Sequence, residues 1–182
     1  CRLAVVVTGM EADPTLKLAM LAAARPTLLR VIGPNALGLV APAVKLNASH
    51  APVSVGAGTV ALVAQSGTIA ATLLDWGAER GIGFSHAVSR GEMADVDVAD
   101  YLDLLAGDGR TRAILVYLEA IPDARKFISA ARAAARLKAV IAVKAGRSPE
   151  AAKAAQTHAG ALAGADAVVD RIGDVLPLMQ PG

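Results

Sequence analysis

Apolar residues along this chain gather in short runs, and the segments between the runs carry helical spacing. Six runs read as buried strands, at 3–7, 28–32, 59–64, 81–88, 113–118 and 139–144. They do not alternate with polar residues, so each is expected to be covered on both faces. Between them, Ile69, Leu73 and Trp76 recur at i, i+4, i+7, and Val98, Tyr101, Leu102 and Leu105 at i, i+3, i+4, i+7. Phe127, Ile128, Ala131 and Ala135 continue the pattern, and each set predicts the apolar stripe of one helix. Arg125, Lys126, Arg132 and Arg136 fall off the third stripe and read as its solvated face. Strands alternating with helices predict a doubly wound α/β fold around a parallel sheet.

The stretch 47–58, NASHAPVSVGAG, is rich in glycine, proline, serine and alanine and has no helical period. It is expected to separate residues 1–50 from residues 51–182. The first part reads as strand, helix, strand and then GPNALG; the second has the size of a small flavodoxin-like unit with four strands. Ligands of such sheets bind where the strands' carboxyl ends lead into helix N-termini. That rule selects AQSGTIA (64–70), LEAIPDA (118–124) and the segment beyond 144, which contains His158.

Composition narrows the classes. At 54% hydrophobic and 19% charged, the 182 residues are expected to bury a large core. A net charge of +2 without a dense basic cluster predicts no nucleic-acid groove. Cys1 is the only cysteine, which excludes an internal disulfide and fits a reducing, cytoplasmic setting. No apolar run reaches the ~18 residues of a membrane span, so no membrane is expected as partner. The chain opens on an apolar run without methionine and is expected to be a piece of a longer protein.

The three selected loops carry chemistry. Ser66, Gly67 and Thr68 stand where a buried strand turns into a helix, whose free first-turn amides and dipole favour an anion. A plain serine cap explains the same residues, and from this tripeptide alone it is the better reading. Glu119 follows an apolar run and is either a solvated strand end or a carboxylate aimed into the crevice. Beside a histidine, it would hold one ring nitrogen and raise the basicity of the other. His158 lies among small residues, with Gly160 and Gly164 close behind, which leaves room for a second helix start near the ring. Two helix starts facing one imidazole suit a ring that carries a phosphoryl dianion. His50 and His86 lack such a setting and read as incidental.

GPNALGL, LVAQSGTIAATLLDWGAERGIGFSHAVSRGEMADVDVADYL, ILVYLEAI and KAGRSPEAAKAAQTHAGALAGADAV, in that order, resemble the NDP-forming acyl-CoA synthetases. These are relatives of the succinyl-CoA synthetase α subunit. The resemblance implies the end of a Rossmann-type CoA-binding domain followed by a flavodoxin-like domain carrying a phosphohistidine. It implies that acyl-CoA, phosphate and ADP interconvert with acid, CoA and ATP. It makes His158 the phosphoryl carrier, Glu119 its orienting carboxylate, and Ser66, Gly67, Thr68, Gly160 and Gly164 the phosphate site. Gly33, Pro34 and Asn35 are the implied CoA contacts. The resemblance puts the nucleotide, with Mg2+, on an ATP-grasp domain or subunit outside this chain, and implies an oligomer; no metal site is expected within the chain. Ala36 departs from the family's usual cysteine, and Glu92 from its common asparagine. Parts of the wording also resemble fused proteins carrying a GNAT acetyltransferase, in some of which this region senses acetyl-CoA without turning it over.

Overall fold

The computed structural model describes residues 2–9, 14–52 and 54–145. Strands β1 (Leu3–Val5) and β2 (Arg30–Ile32) pair in parallel, joined by helix α1 (Pro14–Ala24). The larger sheet holds β3 (Gly38–Ala41), β4 (Leu46–Ser49), β5 (Ala57–Ala64), β6 (Phe84–Ser89), β7 (Ala113–Leu118) and β8 (Ala139–Lys144). Its order is β4-β3-β6-β5-β7-β8, and β6, β5, β7 and β8 run in parallel. The mostly parallel α/β class expected from the apolar runs is therefore the class of the fold.

Side-chain alternation along β5 explains the layering. Ala61 and Val63 face one core, built with helices α3 (Val98–Gly107) and α4 (Ala124–Ala135). Leu62 and Ala64 face the other, where helix α2 (Gly67–Glu79) supplies Ala70 and Leu74. All four β5 side chains are 0% exposed, so this strand is the centre of the molecule. The chain covers one face after β5 and the opposite face after β6, which makes the β5–β7 boundary the switch point. Such a boundary opens a crevice at the strands' carboxyl ends.

Three details differ from the sequence expectation. The β3–β4 hairpin, read with residues 1–50, pairs antiparallel with β6 and so extends the larger sheet across the expected boundary. On α2 the buried stripe is Ala70, Leu74 and Gly77, one position round from Ile69, Leu73 and Trp76. Gly77 lets the helix settle onto the Phe84 ring, and Trp76 turns outward with the Arg80 guanidinium 4.7 Å above its ring. Lys126 is not free on the α4 surface: its ammonium reaches Asp97 at 3.0 Å and Asp100 at 2.8 Å.

The first fragment is bound to the larger unit through the β6–α3 loop. Glu92 N–H donates to the Pro34 carbonyl (2.9 Å) and Ala94 N–H to the Gly33 carbonyl (3.0 Å). Asp95 accepts from the Val31 amide at 2.7 Å and from Arg30 Nε at 2.9 Å. Gly91 makes the approach possible: its φ is +56°, and a side chain there would overlap the Pro34 carbonyl.

Candidate functional site

Six loops meet at the carboxyl edge of β5 and β7 around a crevice of about 910 Å³. Ser66, Gly67, Thr68 and Glu119, selected from sequence as separate candidates, all line it. So does Asn35, while Gly33 and Pro34 stand behind it with their carbonyls committed to the β6–α3 loop. His158, Gly160 and Gly164 lie outside the described residues.

The α2 start is built in layers. Ser66 Oγ accepts from the Ile69 amide at 3.3 Å, and the Ser66 carbonyl from the Ala70 amide at 3.0 Å. Serine is thus a cap and a crevice residue together. The amides of Gly67 and Thr68 precede the first intrahelical bonds, and they carry the positive end of a 13-residue helix. Glycine at 67 is not demanded by packing: a Cβ there would sit 3.6 Å from Leu37 Cβ and Ser89 Oγ, ordinary contact. Glycine inside a helix costs about 1 kcal/mol relative to alanine. What its absent side chain leaves open is backbone surface facing the crevice.

Gln65, which the sequence reading passed over, holds the floor together. It is 7% exposed, and its side-chain oxygen accepts from the amides of Glu119 and, at 2.9 Å, Ala120. Its amide nitrogen donates to the Ala120 carbonyl at 2.9 Å. One side chain therefore locks the end of β7 to the end of β5. The available signal was a single polar residue directly after the apolar run 60–64, at the edge where ligands bind.

Glu119 is half-buried, and among the described residues its carboxylate has no hydrogen bond or ion pair. Burial, and then the Glu119 charge, push the Tyr117 phenol up. Across the crevice stand Lys17 of α1, His50 of the linker and Glu92 of the β6–α3 loop. His50, read as incidental from sequence, is thus a wall residue, held by its amide to the Leu37 carbonyl (3.0 Å). His86 lies toward the amino edge of the sheet, 3.6 Å from Asp108, away from the crevice. Among the described residues no group of three His, Cys, Asp or Glu is placed to hold a metal ion. No described helix is long and apolar enough to cross a membrane.

The arrangement offers helix-start amides for an anion, an uncommitted carboxylate a short way along the same edge, and a mixed-charge opposite wall. Comparison with known proteins agrees in kind. The sequence profile of the succinyl-CoA ligase like flavodoxin domain matches residues 57–174. The α subunit of the ADP-forming acetate–CoA ligase I of Pyrococcus furiosus is 44% identical over 145 residues, 80% of this chain and 31% of that protein. The ADP-forming 4-hydroxybutyrate–CoA ligase of Nitrosopumilus maritimus is 39% identical over 148 residues, 79% of this chain and 21% of that protein. A structure of the dinucleotide forming acetyl-coenzyme A synthetase 1 of Candidatus Korarchaeum cryptofilum, in complex with phosphate and ADP, superposes with a TM-score of 0.86. It is 35% identical, and the match covers 94% of this chain and 38% of that one. The chain thus spans about a third or less of the curated relatives it matches.

Proposed function

Because this chain belongs to the succinyl-CoA ligase like flavodoxin domain family, we propose that it is the phosphoryl- and CoA-handling part of an NDP-forming acyl-CoA synthetase. The observation that carries this reading is the convergence of the Ser66–Thr68 helix start and Glu119 on one crevice at the switch point. The relatives' names, ADP-forming ligases of acetate and of 4-hydroxybutyrate, support the reaction class and show that the acyl group varies within it.

In the reaction, a phosphate oxygen attacks the thioester carbonyl of acyl-CoA. The C–S bond breaks, CoA leaves as the thiolate, and an acyl phosphate remains. A ring nitrogen of His158 then attacks phosphorus, the bond to the acyl oxygen breaks, and the carboxylate departs. Glu119 accepts a hydrogen bond from the other ring nitrogen and supports its developing charge. The Gly67 and Thr68 amides, the Ser66 hydroxyl and the backbone at Gly160 and Gly164 receive the phosphoryl oxygens. Finally a terminal oxygen of ADP takes the phosphoryl group from His158. The nucleotide and its Mg2+ are held by an ATP-grasp domain or subunit, and the backbone around Gly33, Pro34 and Asn35 carries the CoA side of the crevice.

The test uses the full-length protein with its nucleotide-binding part. Incubated with acetyl-CoA, it should release CoA over many turnovers only when ADP and phosphate are both present, and no more than one equivalent per site with phosphate alone. Tight acetyl-CoA binding without CoA release would overturn the ligase reading in favour of an acyl-CoA sensor.

A further inference from the structure

Gln65 stands between the two groups on which the proposed reaction depends. Its backbone joins β5 to Ser66, the cap of α2, and its side chain reaches the end of β7. Regular pairing of β5 with β7 ends at Ala64 and Tyr117, where the Gln65 amide donates to the Tyr117 carbonyl at 3.2 Å. Past that point the ladder stops, and the Gln65 side chain takes the place of the next peptide unit. Its oxygen accepts from the Glu119 and Ala120 amides, the latter at 2.9 Å. Its nitrogen donates to the Ala120 carbonyl at 2.9 Å and to Met93 Sδ at 3.8 Å.

A side-chain amide has two acceptor and two donor positions, and protein groups occupy all four. Turned over, its NH2 would face two N–H donors, so the orientation is single. No position remains for a ligand, although Gln65 lines the crevice and is 7% exposed. What these bonds fix is Glu119. The peptide unit before its Cα is held on both edges: Gln65 takes the Glu119 amide, and the Ala145 amide donates to the Leu118 carbonyl at 2.8 Å. The peptide unit after it is held by Gln65 at the Ala120 amide. Peptide units are planar, so fixing both of them fixes the direction of the Glu119 Cα–Cβ bond. Among the described residues the carboxylate has no hydrogen bond or ion pair of its own, so its place in the crevice is set by this backbone.

We propose that Gln65 is a positioning residue. It sets the spacing between the α2 start, into which its own backbone leads, and Glu119, which its side chain presents to the crevice. The proposal rests on the reading of Glu119 as the orienting partner of His158. Met93 brings the β6–α3 loop, a third wall of the crevice, to the same side chain.

The experiment is labelling of the full-length protein, with its nucleotide-binding part, by labelled ATP and Mg2+. Gln65→Met keeps the length of the side chain and removes its amide. The rate of phosphoenzyme formation at saturating ATP should fall about 10²-fold, the scale of a 1 Å misplacement. The ATP concentration for half-maximal rate and the affinity for acetyl-CoA should stay within about twofold, because the lost interaction acts on the chemical step. In a Glu119→Ala background the same substitution should cost no more than about threefold, since the group it positions is gone. Gln65→Asn, with the same amide one methylene short, should behave as Gln65→Met does and replaces it if that variant does not fold. Equal losses in the two backgrounds would overturn the proposal and leave Gln65 a strut of the fold, as would a parallel loss of acetyl-CoA affinity. Unimpaired labelling of Glu119→Ala would refute the role of Glu119 and this proposal with it. Impaired Glu119→Ala beside an unchanged Gln65→Met protein would refute the role of Gln65 alone.

Discussion

At residue 67 the demands of folding and of chemistry can be separated. A Cβ there meets nothing closer than 3.6 Å, so the fold accepts alanine. The same methyl group would stand over the amides that face the crevice. Gly67→Ala should therefore keep the melting temperature or raise it, by about 0.4–1 kcal/mol in stability. Turnover should fall roughly 10²-fold, the scale of a 1 Å misplacement of a reacting group. Thermal denaturation and CoA release measured on the same preparation check both halves; a loss of stability would show that glycine is structural. Gln65 teaches the converse. Its sequence signal was weak, because a lone amide after an apolar run has no motif. Only the parallel pairing of β5 with β7 brings it to the Glu119 and Ala120 amides.

Elements with strong periodicity were legible, and short ones were not. β7 and β8 have the limits expected from their apolar runs, and all four stripe residues of α3 are buried. The hairpin β3–β4 escaped notice because each strand has four residues and the turn between them carries proline. The face of α2 was misjudged by one position because small residues, Ala70 and Gly77, pack closer than large ones. Charge at the element ends is also a tertiary matter. Arg30 and Lys126 converge on Asp95, Asp97 and Asp100 and link β2, α3 and α4. Burial alone would raise Asp100. The Lys126 hydrogen bond, the Asp97 amide and the charges of Lys126 and Arg30 more than offset it, and the carboxyl lies below its ordinary value of 3.8. A depressed folded-state value means that the stabilisation is present above the unfolded value and is lost as pH falls through the folded one. The melting temperature should therefore drop below about pH 4, and less steeply for Asp100→Asn. Equal slopes in the two proteins would remove Asp100 from the account; the expected difference is small, because the group is partly exposed.

For the molecule as a whole, the crevice exists because two parts of the chain share it. Val7, Lys17 and Asn35 come from the first fragment, and Ser66, Glu92 and Glu119 from the larger sheet. The sheet order places the switch point where the helix start and the carboxylate meet, and a doubly wound fold read from apolar runs already foretold that edge. In the proposed reaction the partner of those groups is His158, and the central claim is that it carries the phosphoryl group. The direct measurement is incubation of the full-length protein with labelled ATP and Mg2+, followed by acid and base treatment of the denatured chain. An acid-labile, base-stable label should form, should vanish in His158→Ala, and should form roughly 10²–10⁴-fold more slowly in Glu119→Gln. Undiminished labelling of His158→Ala would contradict the account.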